Sequence, residues 1–277
     1  MTLYTEILLD ALMFPEGPRW HQDKLWFTDQ HARQIRTVDL NGKSAVIAEL
    51  ADLPGGLGWL PDGRLLVVSM KKRQLLVLEQ DQLHVFADLS ALASFHCNDL
   101  LVDQQGRSYV GNFGYDLHGG AAISNAEIIL VTAEGQPRIV ATDVIFPNGM
   151  AMTSDQQTLL VAETFAARIS SFEIHPDGSL GERKLWADLD GAYPDGICLD
   201  QDNAIWAACP NTEEVTRVEK GGKITDRVES VGTPYACMLG GEKQTQLFVL
   251  TSGTDDPKEA QRLRSGRIEI VSIPDRG

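Results

Sequence analysis

Apolar residues recur along this chain in short runs separated by polar turns. LGWL, RLLVVSM, RQLLVLEQ and LHVFADL follow one another between Leu57 and Leu89, and GMAMT, TLLVAET, ARISSFEI and RKLWADL do the same between Gly149 and Leu189. The breaks between runs are Pro61-Asp62-Gly63, Ser154-Asp155-Gln156 and Pro176-Asp177-Gly178. Short β-rich runs joined by Asp-Gly-type turns predict β-hairpins. No amphipathic helix is expected between them.

The runs group into a repeat. Six segments share one order: a Pro/Gly-rich turn, a short apolar strand, a polar turn, then three further strands. They begin at Phe14 (FPEG), Leu53 (LPGG), His96 (HCND), Phe146 (FPNG), Tyr193 (YPDG) and Thr233 (TPYA). Successive starts are roughly 39 to 50 residues apart, the length of a four-stranded propeller blade. The last repeat supplies only ACML, QLFVLTS and RIEIVSI, whereas TEILLD precedes the first repeat without a partner there. Pairing this N-terminal strand into the last blade closes the ring and removes two exposed sheet edges. The expectation is an all-β, six-bladed β-propeller forming a single domain over residues 1–277.

Composition narrows the function classes. The chain has 277 residues, 43% of them hydrophobic and 23% charged, as in ordinary globular proteins. A formal net charge of −15 argues against nucleic acid or an anionic membrane as partner, because both select a basic face. MTLYTEILLD lacks the basic and apolar regions of a signal peptide, and no run is long enough to span a bilayer. Cys97, Cys198, Cys209 and Cys237 are far apart and form no CxxC pair, which fits reduced thiols in a cytoplasmic protein. A monomer or homodimer is expected.

The innermost strand of each blade lines the central channel, so residues in one repeat phase converge at its entrance. That phase holds Glu16, Gly55, Asn98, Asn148, Asp195 and Tyr235. Three of them sit in parallel phrases, Pro15-Glu16-Gly17, Pro147-Asn148-Gly149 and Pro194-Asp195-Gly196. Turn formation alone explains Asn41-Gly42 or Asp62-Gly63 within hairpins, but not a phrase that recurs between blades. Glu16 and Asp195 supply two negative charges, Asn148 and Asn98 neutral carbonyl oxygens. Such an all-oxygen set suits one hard divalent ion, calcium first, with magnesium or manganese also compatible. Open coordination positions would serve catalysis. Gly55-Gly56 and the stretch from Gly111 to Gly120 suggest an open channel mouth.

At these residues the chain resembles the senescence-marker-protein/gluconolactonase family of regucalcin-like lactonases. FPEGPRW, CNDLLVDQQGRSYVGNFGYD, FPNGMAMTSDQQTLLVAET and YPDGICLDQDNAIWAA carry the resemblance, in order and at blade spacing. It implies metal ligation by Glu16, Asn148 and Asp195, with Asn98 beside the metal and touching substrate. Asp195 would also be the general base, and the metal would be calcium, zinc, manganese, magnesium or iron(II). The implied substrate is a small-molecule lactone, hydrolysed by water. Two positions depart from the family pattern. His96 stands where sugar-acid lactonases similar to regucalcin carry an arginine, and the acidic substrate contact falls near Asp116 in an unlike sequence, Asn112-Phe113-Gly114-Tyr115-Asp116. His96 is therefore a candidate substrate contact or proton shuttle.

Other residues carry weaker readings. Asp99 either orients the ligands or caps the strand. Phe14, Phe146 and Tyr193 wall the pocket or pack between blades, and the five tryptophans pack within blades. Cys97 and Cys198 lie near the channel without a partner base. Three alternatives to lactone hydrolysis stand at this point: a metal-dependent esterase or phosphotriesterase, a non-catalytic metal-binding propeller, and a strictosidine-synthase-like condensation, which the ligand set fits poorly.

Overall fold

A computed structural model describes residues 2–275. Nearly all of its regular structure is strand, arranged as six sheets around one channel. Blade I comprises Pro15–His21, Lys24–Asp29, Gln34–Val38 and Ser44–Glu49, ordered from the channel outwards. The innermost strands of blades II to VI are Pro54–Trp59, Cys97–Val102, Pro147–Met152, Ile197–Leu199 and Thr233–Gly240. Each touches the next, and the sixth returns to the first.

The N-terminus closes the ring as the unpaired strand predicts. Glu6–Leu12 is the outermost strand of blade VI, antiparallel to Gly266–Ser272 with Glu6 opposite Ile270. A second element leaves no mark in the sequence: Thr2–Tyr4 pairs in parallel with Ile224–Glu229, placing Leu3 opposite Val228 as a fifth strand of blade V. The N-terminal segment thus spans two blades. A helix also occurs where none is expected. Pro257–Leu263 lies in the loop between two strands of blade VI, and the Asp256 carboxylate caps it by accepting from Lys258 and Glu259 N–H.

Apolar residues fill the space between neighbouring blades. All five tryptophans lie in strands, and Trp206 is fully buried. The cysteines are all free and buried, with Cys198 and Cys237 Sγ 4.0 Å apart across blades V and VI. Among the described residues no helix is long and apolar enough to cross a membrane.

The glycines near the channel have a different job from the one expected. A Cβ on Gly55 would lie 2.3 Å from the Asn98 carbonyl oxygen, and one on Gly56 would lie 2.1 Å from Asp99 Oδ1. Gly55-Gly56 therefore allows blades II and III to approach closely, rather than widening the mouth. The Gly111–Gly120 stretch likewise carries the buried rings of Phe113 and Tyr115.

Candidate metal centre at the channel mouth

The phase residues face the channel because the ladder is broken where they stand. Between the first two strands of blade III the register runs from Cys97↔Asn112 to Leu100↔Val110, which leaves Asn98 and Asp99 out of the pairing. Blade IV repeats this break around Asn148 and Gly149, between Pro147↔Glu163 and Met150↔Val161. In blade I the shift follows Glu16, and in blade V the innermost strand begins only at Ile197, just beyond Asp195. Bulges of this kind bend a strand and re-aim its side chains.

The glycine of each Pro-x-Gly phrase serves the same geometry. A Cβ on Gly149 would lie 2.5 Å from Ile197 N, and one on Gly196 would lie 2.5 Å from Ala236 Cβ. Backbone hydrogen bonds continue around the ring, from Gly149 N–H to Asp195 O at 3.0 Å and from Gly196 N–H to Tyr235 O at 2.8 Å. These phrases are points of contact between blades, not hairpin turns.

Glu16, Asn148 and Asp195 come together from blades I, IV and V. Burial pushes the Glu16 carboxyl up to about 8, against a hydrogen bond from Gly17 N–H; Asp99 pushes it further and Arg19 holds it back. Asp195 is raised well above the usual carboxylate range by burial and by the Glu16 charge, while a hydrogen bond from Asn148 opposes the rise. Asn98 and Asn148 are both 8% exposed. No hydrogen bond from another described residue reaches the Asn98 amide.

One side chain that sequence reasoning missed orients this set. Thr164 Oγ1 donates to the Pro194 carbonyl at 2.8 Å, which uses its only hydrogen. It can then only accept from Asn148 Nδ2, 3.3 Å away. The amide nitrogen is thereby assigned, and Oδ1 remains as the acceptor or ligand atom. Thr164 lies just past a strand end in a turn, TFA, which gives no period or motif to mark it.

Asp99 proves to be paired rather than a cap alone. Its Oδ1 accepts from Arg19 Nη2 and from Leu100 N–H, both at 2.8 Å, and Arg19 also donates to the Leu100 carbonyl. The Arg19–Asp99 pair joins blades I and III past the small residues of blade II, and both side chains are 12% exposed.

A second missed device pins the loops that lead into the channel. Asp29 accepts from Phe14 N–H, Asn112 from Phe95 N–H, Glu163 from Ile145 N–H, Asn211 from Tyr193 N–H, and Glu269 from Val231 and Gly232 N–H. A polar residue at or near the end of the second strand recurs in FTDQ, VGNF and VAET, and it is the available sequence signal.

The predicted substrate contacts lie at the rim. His96 is half-buried, stacked on Phe95 with centroids 4.1 Å apart, and burial followed by the Lys71 charge lowers its pKa. It is a neutral imidazole at neutral pH. Asp116 is exposed, and its Oδ1 accepts from Gly119 N–H at 2.8 Å. Tyr235 belongs to the same site: burial and the charges of Asp255, Asp195 and Glu16 raise its phenol, which stays protonated. His31 Nε2 meets the Asp255 carbonyl at 3.2 Å and must donate to it.

These residues fit a divalent cation. Glu16 and Asp195 are half-buried carboxylates, the Glu16 charge helps keep Asp195 from ionising, and a cation bound by both would remove that conflict. The donors are oxygens throughout, two of them amides, one already oriented by Thr164. Among the described residues no cluster of three or more His, Cys, Asp and Glu exists; a set of two carboxylates and two amides falls outside that description.

Residues 14–253 match the SMP-30/Gluconolactonase/LRE-like region. A pentonolactonase of Haloferax volcanii is 24% identical over 263 residues, covering 91% of this chain and 86% of its own length. A 6-deoxy-6-sulfogluconolactonase of Pseudomonas putida is 24% identical over 247 residues, covering 86% and 82%. The structure of a calcium-binding protein, regucalcin, from Agrobacterium tumefaciens superposes with a TM-score of 0.81 at 20% identity, covering 98% of this chain and 95% of that one.

Proposed function

We propose that this chain, which belongs to the SMP-30/gluconolactonase/LRE-like family, hydrolyses a lactone with the help of one divalent cation. The observation that carries the reading is the meeting of two half-buried carboxylates, Glu16 and Asp195, with the Asn148 amide hydrogen-bonded to Asp195. The names of the relatives support the reaction class.

Glu16, Asn148 and Asp195 would hold the ion, with Asn98 beside it, and calcium suits these oxygens best. When bound, such an ion supplies Lewis-acid polarisation of the ester carbonyl. Asp195 holds the attacking water and takes its proton as the water oxygen bonds to the carbonyl carbon. The ring C–O bond then breaks and that proton passes to the departing ring oxygen, leaving a hydroxy acid. Asn98 donates its amide hydrogens to substrate oxygen, and His96 lines the approach as a neutral hydrogen-bonding group. Thr164 and Pro194 keep Asn148 in place throughout.

The Asp195→Asn variant tests the assignment. The expected result is a folded protein whose kcat on every lactone it hydrolyses falls by about 10²–10⁴-fold, the range for losing a general base. Retention of wild-type kcat would remove Asp195 from the mechanism.

A further inference from the structure

The residue two positions before each candidate ligand is a ring: Phe14 before Glu16, His96 before Asn98, Phe146 before Asn148 and Tyr193 before Asp195. On the side of blades III to V these rings join into a continuous belt. Phe95 and His96 lie 4.1 Å apart, His96 and Phe113 6.0 Å, Phe113 and Phe146 4.6 Å, Phe146 and Phe165 4.9 Å, and Phe165 and Tyr193 5.6 Å. Phe113 and Phe146 are buried in it, whereas Phe95, His96 and Phe165 are partly exposed and Tyr193 is 38% exposed. The accessible part of the belt is therefore aromatic.

Some of the polar groups nearby are already engaged. Asn112 Oδ1 accepts from Gly114 N–H at 2.9 Å and its Nδ2 donates to Glu127. Asp116 Oδ1 is taken by Gly119 N–H. The Tyr115 hydroxyl is buried with no partner among the described residues. Laid on the belt itself, a polyhydroxylated sugar ring would lose water from several hydroxyls and find only the His96 ring nitrogens and the Tyr193 hydroxyl as partners, with the Asn98 amide and an Asp116 oxygen beyond the rings. Binding sites for sugars avoid that penalty with more convergent hydrogen-bonding groups. A flat apolar ring would instead find stacking surfaces at the spacing aromatic pairs favour.

We infer that the belt selects a lactone carrying an aromatic ring, held against His96, Phe165 and Tyr193 while its ester group faces the channel. This rests on the lactonase reading and names its substrate class.

Two measurements on the full chain with added calcium separate the inference from that reading. The first compares kcat/KM for dihydrocoumarin, an aromatic lactone, with that for gluconolactone. The second compares calorimetric binding of their non-hydrolysable lactams, 3,4-dihydroquinolin-2-one and gluconolactam. The expected preference is about tenfold or more for the aromatic member in both, and Tyr193→Ala lowers it at least about threefold while Tyr193→Phe keeps it, consistent with the worth of one aromatic pair. Equal or better use of gluconolactone, or a preference unmoved by Tyr193→Ala, overturns the inference. If neither lactone is hydrolysed, the lactonase reading falls and the lactam comparison alone decides whether the belt selects aromatics.

Discussion

Thr164 stands between Asn148 and Pro194, accepting from the Asn148 amide at 3.3 Å while donating to the Pro194 carbonyl at 2.8 Å. This hydroxyl ties the candidate ligand of blade IV to the residue preceding that of blade V. Because its proton is already placed, it dictates which face of the amide the channel sees.

Replacing Thr164 by Val removes the acceptor and frees the amide to rotate. Divalent-cation affinity is expected to fall about tenfold or more, as for other partners that orient ligands. Thr164→Ser keeps the hydroxyl and should keep the affinity. Calorimetric titration of the two variants checks this.

Arg19 and Asp99 form a nearly buried pair across blades I and III. Arg19→Leu leaves the Asp99 charge uncompensated beside Glu16, and we expect a loss of about 3–5 kcal/mol of stability. Arg19→Leu with Asp99→Leu removes both charges and should recover part of that loss. Denaturant unfolding of the three proteins measures the difference.

Chelation should bring out a pH dependence of stability at the channel. Glu16 titrates near 4.5 unfolded and is raised to about 8 when folded. The folded state thus binds the extra proton, and stability present below about pH 4.5 is lost as the pH rises towards 8. In chelator, Tm is expected to fall across this window; saturating calcium should suppress the fall. A scan of Tm against pH in both buffers tests the sign.

Glu163 works in the opposite direction. Burial would raise its pKa, but hydrogen bonds from Arg168, Ile145 N–H and Ser170 outweigh that and hold it below the ordinary value. Its contribution is present above the unfolded pKa and disappears as the pH falls through the depressed folded one. Glu163→Gln should cost about 1–3 kcal/mol at about pH 7 and flatten the acid limb of the stability curve. It should also weaken cation binding, because Ile145 leads directly into Phe146 and Asn148.

The fold is legible because each blade repeats the same order of turns and strands, and because TEILLD has no partner except in the last repeat. The candidate ligand phase is marked in the sequence by Pro-x-Gly, where the glycine admits the next blade. Thr164 and the Arg19–Asp99 pair are not, since they depend on contacts between blades whose residues lie far apart in sequence. Gly55-Gly56 reads as open space in the sequence, but that space is filled by Asn98 and Asp99. The seven-residue helix Pro257–Leu263 is too short to give a periodic signal, although Asp256 and Pro257 mark its start.

Support of lactone hydrolysis by one divalent cation on Glu16, Asn148 and Asp195 is tested most directly by stripping the protein with chelator. Single metals are then added back while a lactone panel is followed at neutral pH. Turnover is expected to be lost on stripping and to return with one equivalent of a suitable ion, calcium foremost. Full turnover in chelator, after the metal is shown to be gone, would contradict the proposed role of the cation.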